Sequence, residues 1–225
     1  MSIETAIRSF NNGLPSTVRL VAVSKFKPLE AILEAYGAGQ RLFGENRPQE
    51  LAAKATDPRT PSDIEWHMIG HLQTNKVKMV VPHASMIQSV DTVKLLAAID
   101  SYAASIGKVQ DCLLEVHIAS EESKQGFSPE EAIALAGTFE QYAHVRMRGV
   151  MGMASFVDDE AVVRSEFRTL RRTFDTIKEN GRTGGRSWVD SFDTVSMGMS
   201  HDYALAIEEG ATVVRIGTSI FGSRN

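Results

Sequence analysis

Lys25 follows a run of apolar residues in the segment LVAVSKFKP, residues 20–28. On an alternating strand its side chain would share a face with Val21 and Val23. Apolar neighbours desolvate an ammonium group, which lowers its pKa and leaves more of the amine neutral. A neutral amine is the form that condenses with an aldehyde to give an imine. The alternative is a lysine that only extends its charged end into solvent at the rim of a sheet.

Two segments rich in glycine and hydroxyl residues predict an anion site. They are SMGMS, residues 196–200, and RIGTSIFG, residues 215–222. Glycine allows an anion to approach backbone N–H groups closely, and Ser196, Ser200, Thr218 and Ser219 add hydroxyl donors. The pattern therefore favours a phosphate site, although the same glycines could only form tight turns.

Arg215 and His67 are further candidates for binding a ligand. An inward-facing arginine requires an acceptor, which could be an internal carboxylate such as Glu45 or Asp91, or a ring nitrogen of a ligand. His67 could line a pocket or be a satisfied core residue. The six histidines show no metal-ligand spacing, so no metal is expected.

These residues lie near the ends of short apolar runs that alternate with amphipathic, helix-like stretches. The eight strand candidates are residues 20–26, 42–46, 64–70, 86–91, 111–119, 145–154, 194–199 and 212–217. Several are apolar on both faces, as strands of a covered parallel sheet are. One helix candidate opens on Ser128-Pro129-Glu130-Glu131, a typical amino-terminal signal.

This alternation predicts a single (β/α)8 TIM barrel over residues 1–225, with an extra helix at residues 5–11. The chain is slightly short for the usual ~250 residues, so its loops must be lean. A doubly wound open sheet is the structural alternative. In a barrel, the chemistry lies at the carboxyl ends of the strands, where Lys25 and both glycine-rich segments are predicted.

The composition limits the classes of partner and the compartments to be expected for this protein. The formal net charge of −4 offers no global basic field for nucleic acid. One cysteine, Cys112, cannot form a disulfide within the chain, and no apolar run approaches the ~20 residues of a membrane helix. The first residues lack a signal-peptide pattern. A cytoplasmic location without a membrane contact is therefore expected, and a self-contained barrel makes a monomer the default.

Five segments together resemble one family. AVSKFKP, FGEN, WHMIGHLQTNK, SVD and SMGMSHDYALAIEEGATVVRIGTSIFG occur in the order found in the YggS/PROSC family, the pyridoxal phosphate homeostasis proteins. The resemblance runs from about residue 20 to residue 222. It implies the barrel of the alanine racemase N-terminal domain and binding of pyridoxal 5'-phosphate (PLP).

The resemblance also implies a set of cofactor-binding residues: Lys25, Asn46, His67, Met197, Met199, Ser200, Arg215, Gly217 and Thr218. Lys25 would hold PLP through an imine, and Arg215 would face the pyridine nitrogen. The phosphate would be held by Ser200, Gly217 and Thr218, with backbone amides near Met199. Asn46 would lie beside the ring, whereas His67 and Met197 would line the pocket.

The chain departs from the family pattern at two places near the expected pocket mouth. Arg47-Pro48 follows FGEN where the family usually has Tyr-Val, and MGMASF occupies residues 151–156 where an MTI- or MAP-like segment is frequent. These departures bear on the ligand and partner in detail more than on PLP binding.

The resemblance implies a non-catalytic role in storing, buffering or delivering PLP, with transient contact with apo PLP enzymes. An arginine opposite the pyridine nitrogen keeps that nitrogen unprotonated, which weakens PLP as an electron sink. Alanine racemase adds a second domain with a second acid/base; this chain ends at Asn225, and none of its tyrosines falls at a strand end. The alternatives are a small PLP-dependent racemase, with His67 or Lys25 as base, and a barrel for another phosphorylated metabolite.

Overall fold

A computed structural model describes residues 2–120 and 125–222 of the chain. Eight parallel strands form a closed barrel in sequence order, because β1 pairs with both β2 and β8. The strands are β1 Arg19–Val23, β2 Leu42–Glu45, β3 Glu65–Met68, β4 Ala84–Val90, β5 Gln110–Glu115, β6 Val145–Met151, β7 Thr194–Ser196 and β8 Val213–Ile216. The predicted (β/α)8 barrel is thus confirmed, and the sheet is not open.

Helices cover the outside of the barrel. Those in the described ranges are α1 Ile3–Gly13, α2 Leu29–Gly37, α3 Pro48–Ala55, α4 Val77–Val80, α5 Val93–Ser105, α6 Pro129–Ala136, α7 Glu160–Thr183, α8 Tyr203–Glu208 and α9 Thr218–Phe221. α6 begins as predicted, with a capping box between Ser128 and Glu131. None of the helices in these ranges is long and apolar enough to cross a membrane.

The predicted extra helix is α1, which extends beyond residues 5–11 at both ends. The Ser2 side chain caps it by accepting a hydrogen bond from the Thr5 backbone N–H at 3.2 Å. Its buried residues Ala6 and Ile7 lie on one face, and the helix packs against α2 and α9. Phe10 adds an edge-to-face contact with Tyr203 at the start of α8, with ring centroids 5.5 Å apart.

The inside of the barrel differs from the layer between sheet and helices. The outer layer holds the large continuous apolar core. Inside, two small apolar clusters consist of Val21, Leu42 and Val213, and of Met86, Leu113 and Met151. The interior also contains buried polar side chains, namely His67, Gln88, Ser196 and Arg215. Buried polar groups must find partners, so these side chains constrain one another.

Most predicted strands extend past the real carboxyl ends. β1 ends at Val23, β2 at Glu45 and β8 at Ile216, so that Lys25, Asn46 and Gly217 lie in the loops that follow. The chain leaves the ladder there because local backbone geometry changes: Phe26 has φ 63° and Gly198 has φ 91°. At the other end, β4 begins at Ala84, two residues before the predicted start.

Gly149 occupies a position in β6 that excludes a side chain. Its φ is 153°, and a Cβ there would lie 1.8 Å from the Thr194 carbonyl oxygen on β7. The β5–β6 register also shifts beside it, between Cys112 and Leu113. Glycine at such an irregularity permits close approach of two strand backbones.

We therefore expect Gly149→Ala to destabilise the fold by at least about 3 kcal/mol, because backbone of β6 or β7 must move. Urea unfolding monitored by circular dichroism measures this loss. Gly37→Ala, at the end of α2 with nothing within 4 Å of its Cβ position, is the control and should change stability by less than about 1 kcal/mol. Equal stabilities of the two variants would contradict the interpretation.

Candidate functional site

A cavity of about 380 Å³ opens at the carboxyl ends of the strands; we call it the mouth cavity. It is lined by Val23, Lys25, Asn46, Ile69, Met153, Phe156, Met199, Ser200, His201, Arg215, Gly217 and Thr218. Seven of the nine residues expected to bind a cofactor are in this set. The barrel thus brings together an amine, a guanidinium group and the two glycine-rich segments from opposite ends of the sequence.

The turn that carries Lys25 is fixed by carboxylates on both sides of the lysine. On one side, the Ser24 hydroxyl donates to Glu45 Oε1 at 2.6 Å. On the other, the Phe26 backbone N–H donates to Glu50 Oε2 at 2.9 Å. Lys25 is partly buried between these two anchors. The neighbours of Lys25 therefore hold its backbone in place. This fixed turn determines the direction in which the side chain leaves the backbone.

Lys54 on α3 holds the first of these anchors in place. Its ammonium group donates to Glu45 Oε1 at 2.7 Å and to the Ser24 carbonyl oxygen at 3.0 Å. Burial raises the pKa of Glu45, and the attraction of Lys54 acts against this rise. A buried carboxylate with a hydrogen-bonded cation is far more stable than one without. α3 thereby ties the Lys25 turn to the outer surface of the barrel.

Phe26 has an uncommon backbone conformation for a residue with a side chain, since its φ is 63°. The Arg47 guanidinium carbon lies 4.5 Å from the centre of the Phe26 ring. A cation over an aromatic face is attractive, so this contact helps to hold the turn. Arg47 belongs to one of the two departures from the family pattern, and the structure gives it this supporting position.

The second half of the mouth cavity offers groups that suit an anion. The Gly217 backbone N–H lies 3.3 Å from Ser200 Oγ, and α9 begins with Thr218. The first N–H groups of a helix have no acceptor within the helix. A Cβ on Gly217 would lie 3.3 Å from Val23, within the space beside the cavity wall. Absence of a side chain there leaves the backbone accessible to a ligand.

Gly198 and Asp202 shape the loop before α8. Gly198 has φ 91°, and a Cβ on it would lie 2.6 Å from that of Ala206. The Met199 backbone N–H donates to Asp202 Oδ1. These contacts bring Ser200 to the same cavity wall as Gly217. In this structure the Met199 amide donates within its own loop, and the Ser200 hydroxyl accepts from the Gly217 backbone N–H just before α9.

Arg215 lies at the floor of the mouth cavity and is 5% exposed. It donates from Nη1 to Ser196 Oγ at 2.7 Å and from Nη2 to the Gly152 carbonyl oxygen at 3.0 Å. Burial lowers the pKa of Arg215 to about 10, so it remains a cation at neutral pH. Its hydrogen-bond acceptors are thus neutral groups, and the predicted pairing with Glu45 or Asp91 is not what the structure shows.

His67 and Met197 do not line the mouth cavity. His67 faces inward from β3 one layer deeper, where it lines a second cavity at the amino ends of the strands, which we call the lower cavity. Ile69, two residues later on the same face, takes the expected place at the mouth. Met197 is fully buried in the outer apolar layer, because it points away from the interior that Ser196 faces.

Five lining residues were not predicted: Val23, Ile69, Met153, Phe156 and His201. Phe156 is 79% exposed, and its ring packs edge-on against the His201 ring at a centroid distance of 4.6 Å. The sequence indicated the two segments that carry these residues but not their contact. Met153 and Phe156 belong to the 151–156 departure, and His201 directly follows SMGMS.

Glu115 is a buried carboxyl group at the end of β5 and is 4% exposed. Among the residues that the structure describes, none forms a hydrogen bond with its Oε2. Burial, together with the nearby Asp91 carboxylate, raises the pKa of Glu115 to about 7, against the attraction of Arg215. It lines a cavity of about 240 Å³ that shares Met153 with the mouth cavity.

A raised pKa in the folded state makes Glu115 a source of pH-dependent stability. The folded protein retains this proton from about pH 4.5 to about pH 7, whereas the unfolded chain loses it. Stability from this group is therefore complete at low pH and decreases as the pH rises through 7. We therefore expect the free energy of unfolding of Glu115→Gln, relative to that of wild type, to increase by up to about 3 kcal/mol from pH 5 to pH 8.

Urea unfolding of both proteins at the two pH values measures this difference. Glu34→Gln, at an exposed position of α2, is the matched control and should show the same pH dependence as wild type. A constant difference between Glu115→Gln and wild type at pH 5 and pH 8 would contradict the assignment.

Comparison with known proteins places this geometry in a family. The family model described as alanine racemase, N-terminal domain, matches residues 2–225. A pyridoxal phosphate homeostasis protein of Haemophilus influenzae is 39% identical over 224 residues, covering 99% of this chain and 92% of that one. PipY of Synechococcus elongatus PCC7942, solved with PLP bound, has a TM-score of 0.88 and 35% identity, over 98% of this chain and all of that chain.

Alanine racemase of Clostridium difficile shares the fold at 12% identity, with a TM-score of 0.77 over 99% of this chain and 56% of that enzyme. The near-complete family match and the relatives above 30% identity are thus consistent with the motifs. This chain belongs to the alanine racemase N-terminal domain family and, within it, to the pyridoxal phosphate homeostasis proteins.

Proposed function

We propose that this protein binds PLP in the mouth cavity and acts in PLP homeostasis without catalysing a reaction. Storage, buffering and delivery of the cofactor are the roles that this proposal includes. The observation that carries it is the arrangement of one amine, one guanidinium group and one anion site around a single cavity at the carboxyl ends of the strands.

The groups around the cavity fit the three polar features of PLP. The Lys25 amine suits the aldehyde, Arg215 suits the pyridine nitrogen, and Ser200 with Gly217 and Thr218 suits the phosphate. The Gly217 position supports this fit, because a side chain there would crowd Val23, which lines the same cavity. Asn46 and Met199, which line the same cavity, complete the set of residues that we assign to the cofactor.

When bound, PLP supplies an aldehyde that bonds reversibly to amines and a ring that can withdraw electrons from them. Arg215 opposes the second property. A guanidinium group donates hydrogen bonds and keeps its protons, so a ring nitrogen facing it stays unprotonated. The protein therefore retains the reversible attachment at Lys25 while it limits the electron withdrawal that PLP enzymes use.

The surroundings of the cavity also support a carrier. No tyrosine occurs among the described residues that line it, and its rim includes the exposed Phe156. A site open to water provides weaker electrostatic stabilisation of a transition state than a closed one. An open rim suits a protein that must release its ligand.

Partners, assembly and compartment are part of the proposal. Exposed apolar side chains support transient contact with apo PLP enzymes: Met153 and Phe156 at the rim, and Phe26 in the turn that carries Lys25. A closed barrel has no free sheet edge, which supports a monomer in which residues 1–225 act as one PLP-binding unit. The single cysteine supports a location in the cytoplasm. The net charge of −4 gives no reason to expect a nucleic acid as a partner.

A PLP-dependent racemase is the second candidate. The observation in its favour is that Lys25 and His201 both line the cavity, so two groups that can hold a proton flank one site. His67 cannot serve as the base in this alternative, because it is buried one layer below and lines the lower cavity.

Lys25→Ala tests the binding proposal. Wild-type protein with PLP should show an absorption band near ~420 nm, as expected of an imine, and borohydride should fix the label on Lys25. The variant should lack the band, because Lys25 is the one lysine among the described residues that line the mouth cavity. Lys27→Ala, two residues away and outside the cavity lining, is the control and should keep the band. Absence of the band from wild type would contradict the proposal.

Exchange of the α-proton of amino acids distinguishes a carrier from a racemase. We expect wild-type protein with PLP in deuterated buffer to exchange the α-proton of alanine no more than about tenfold faster than Lys25→Ala, since Arg215 limits electron withdrawal. Proton NMR of alanine measures the rate. Turnover near 1 s⁻¹ or above, the ordinary range of enzymes, would favour the racemase.

A further inference from the structure

Four buried polar side chains form a line across the inside of the barrel. They come from four strands: His67 from β3, Gln88 from β4, Ser196 from β7 and Arg215 from β8. Their exposed fractions are 2%, 0%, 0% and 5%. The line runs from the floor of the mouth cavity, where Arg215 lies, to the lower cavity, which His67 lines.

Each member is within hydrogen-bond distance of the next. Arg215 Nη1 lies 2.7 Å from Ser196 Oγ, and Ser196 Oγ lies 2.6 Å from Gln88 Oε1. Gln88 Nε2 lies 2.7 Å from His67 Nδ1. All three distances are those of well-formed hydrogen bonds. We call this line the interior relay.

The guanidinium group gives the interior relay its direction. Arginine only donates, so Ser196 Oγ accepts from it and uses its own proton to donate to Gln88 Oε1. The Gln88 amide nitrogen then faces His67 and donates to Nδ1. His67 must therefore be neutral with its proton on Nε2. Burial lowers the pKa of His67 to about 3, in agreement with a neutral ring.

The interior relay also determines where the Arg215 side chain lies. Ser196 and the Gly152 carbonyl hold two of its nitrogens. Two buried carboxyl groups compete for Arg215, because Glu115 Oε2 and Asp202 Oδ2 accept no hydrogen bond from the described part of the chain and both residues attract the guanidinium group. The hydrogen bonds that Arg215 donates in the described ranges go to Ser196 and Gly152 and to neither carboxyl group. Weakening of the Ser196 contact would let the guanidinium group turn from the mouth cavity toward Glu115 or Asp202.

We propose that Gln88, acting through Ser196 and backed by His67, is a positioning residue that holds Arg215 in the orientation required for the pyridine nitrogen of PLP. This inference rests on the proposed function, since PLP is the ligand that Arg215 would face. In this proposal His67 supports Gln88 and does not contact the ligand. Two hydrogen bonds separate His67 from Ser196, which holds Arg215.

Gln110 provides a matched control for Gln88. It is the same residue type, it is also 0% exposed, and it lies on the neighbouring strand β5. Its amide donates to the backbone carbonyl oxygens of Ser85 and Asp111, so it does not belong to the interior relay. Gln88→Met and Gln110→Met therefore remove equally buried amides, and only the first interrupts the line to Arg215.

The first experiment measures PLP binding to the full chain by equilibrium dialysis, with absorption spectra of the bound form. Gln88→Met should weaken PLP binding on the order of tenfold and shift the absorption maximum, whereas Gln110→Met should stay within about twofold of wild type. Ser196→Ala should behave like Gln88→Met and serves if Gln88→Met does not fold. Affinities within about twofold of wild type in both relay variants would overturn the proposal.

The second experiment needs no PLP. Nitrogen-15 NMR of histidine-labelled protein at pH 5 should show a ring that is still neutral with its proton on Nε2, assigned to His67 by its loss in His67→Phe. The Nδ1 chemical shift of that ring should change in Gln88→Met and remain unchanged in Gln110→Met. A His67 proton on Nδ1 in wild type would overturn the relay. If wild type binds no PLP, the proposed function fails, and this spectrum still decides whether the relay exists.

Discussion

A permanent charge inside the barrel is the constraint on which much of the site depends. Arg215 is buried, and a buried cation needs hydrogen-bond acceptors to be tolerated. Its acceptors are a serine hydroxyl and a backbone carbonyl, which leave the guanidinium group charged yet not neutralised by an ion pair. The barrel interior consequently contains the polar side chains of the interior relay, whose neighbours are mostly apolar. Under the proposed function, the same cation would also limit the electron withdrawal by a bound PLP ring.

The position of Lys25, the other group assigned to the cofactor, is fixed in a different way. Its position follows from backbone anchors on both sides, where Ser24 and Phe26 bond to carboxylates on β2 and α3. Arg215 is held by its side chain from within the barrel, and Lys25 is held by its turn from the outside. The two groups that would meet the aldehyde and the ring nitrogen are thus fixed by separate sets of contacts. A change in one set leaves the other in place.

The sequence predicted the barrel, the extra helix and most of the mouth cavity. Alternation of short apolar runs with amphipathic stretches sufficed for the fold, because period and length are local properties. Lys25, Ser200 and Gly217 line the mouth cavity as expected, since strand ends in a barrel converge at one face; their role in binding stays a prediction. His67 and Met197 were misplaced because a motif gives a position along the chain and not the layer or face of a side chain. Phe156 and His201 could not be paired from sequence, as their contact joins the loops after β6 and β7.

The contact between Lys27 and α9 has a consequence for biosynthesis. Lys27 donates to the Phe221 carbonyl oxygen at 2.8 Å, across 194 residues of chain, and β1 pairs with β8 in the same region. Lys25 therefore leaves the ribosome long before Thr218 does. Under the proposed function, a nascent chain would carry Lys25 without the residues assigned to the phosphate. The complete cofactor site would then form only once the last strand has paired with β1, after synthesis of nearly the whole chain.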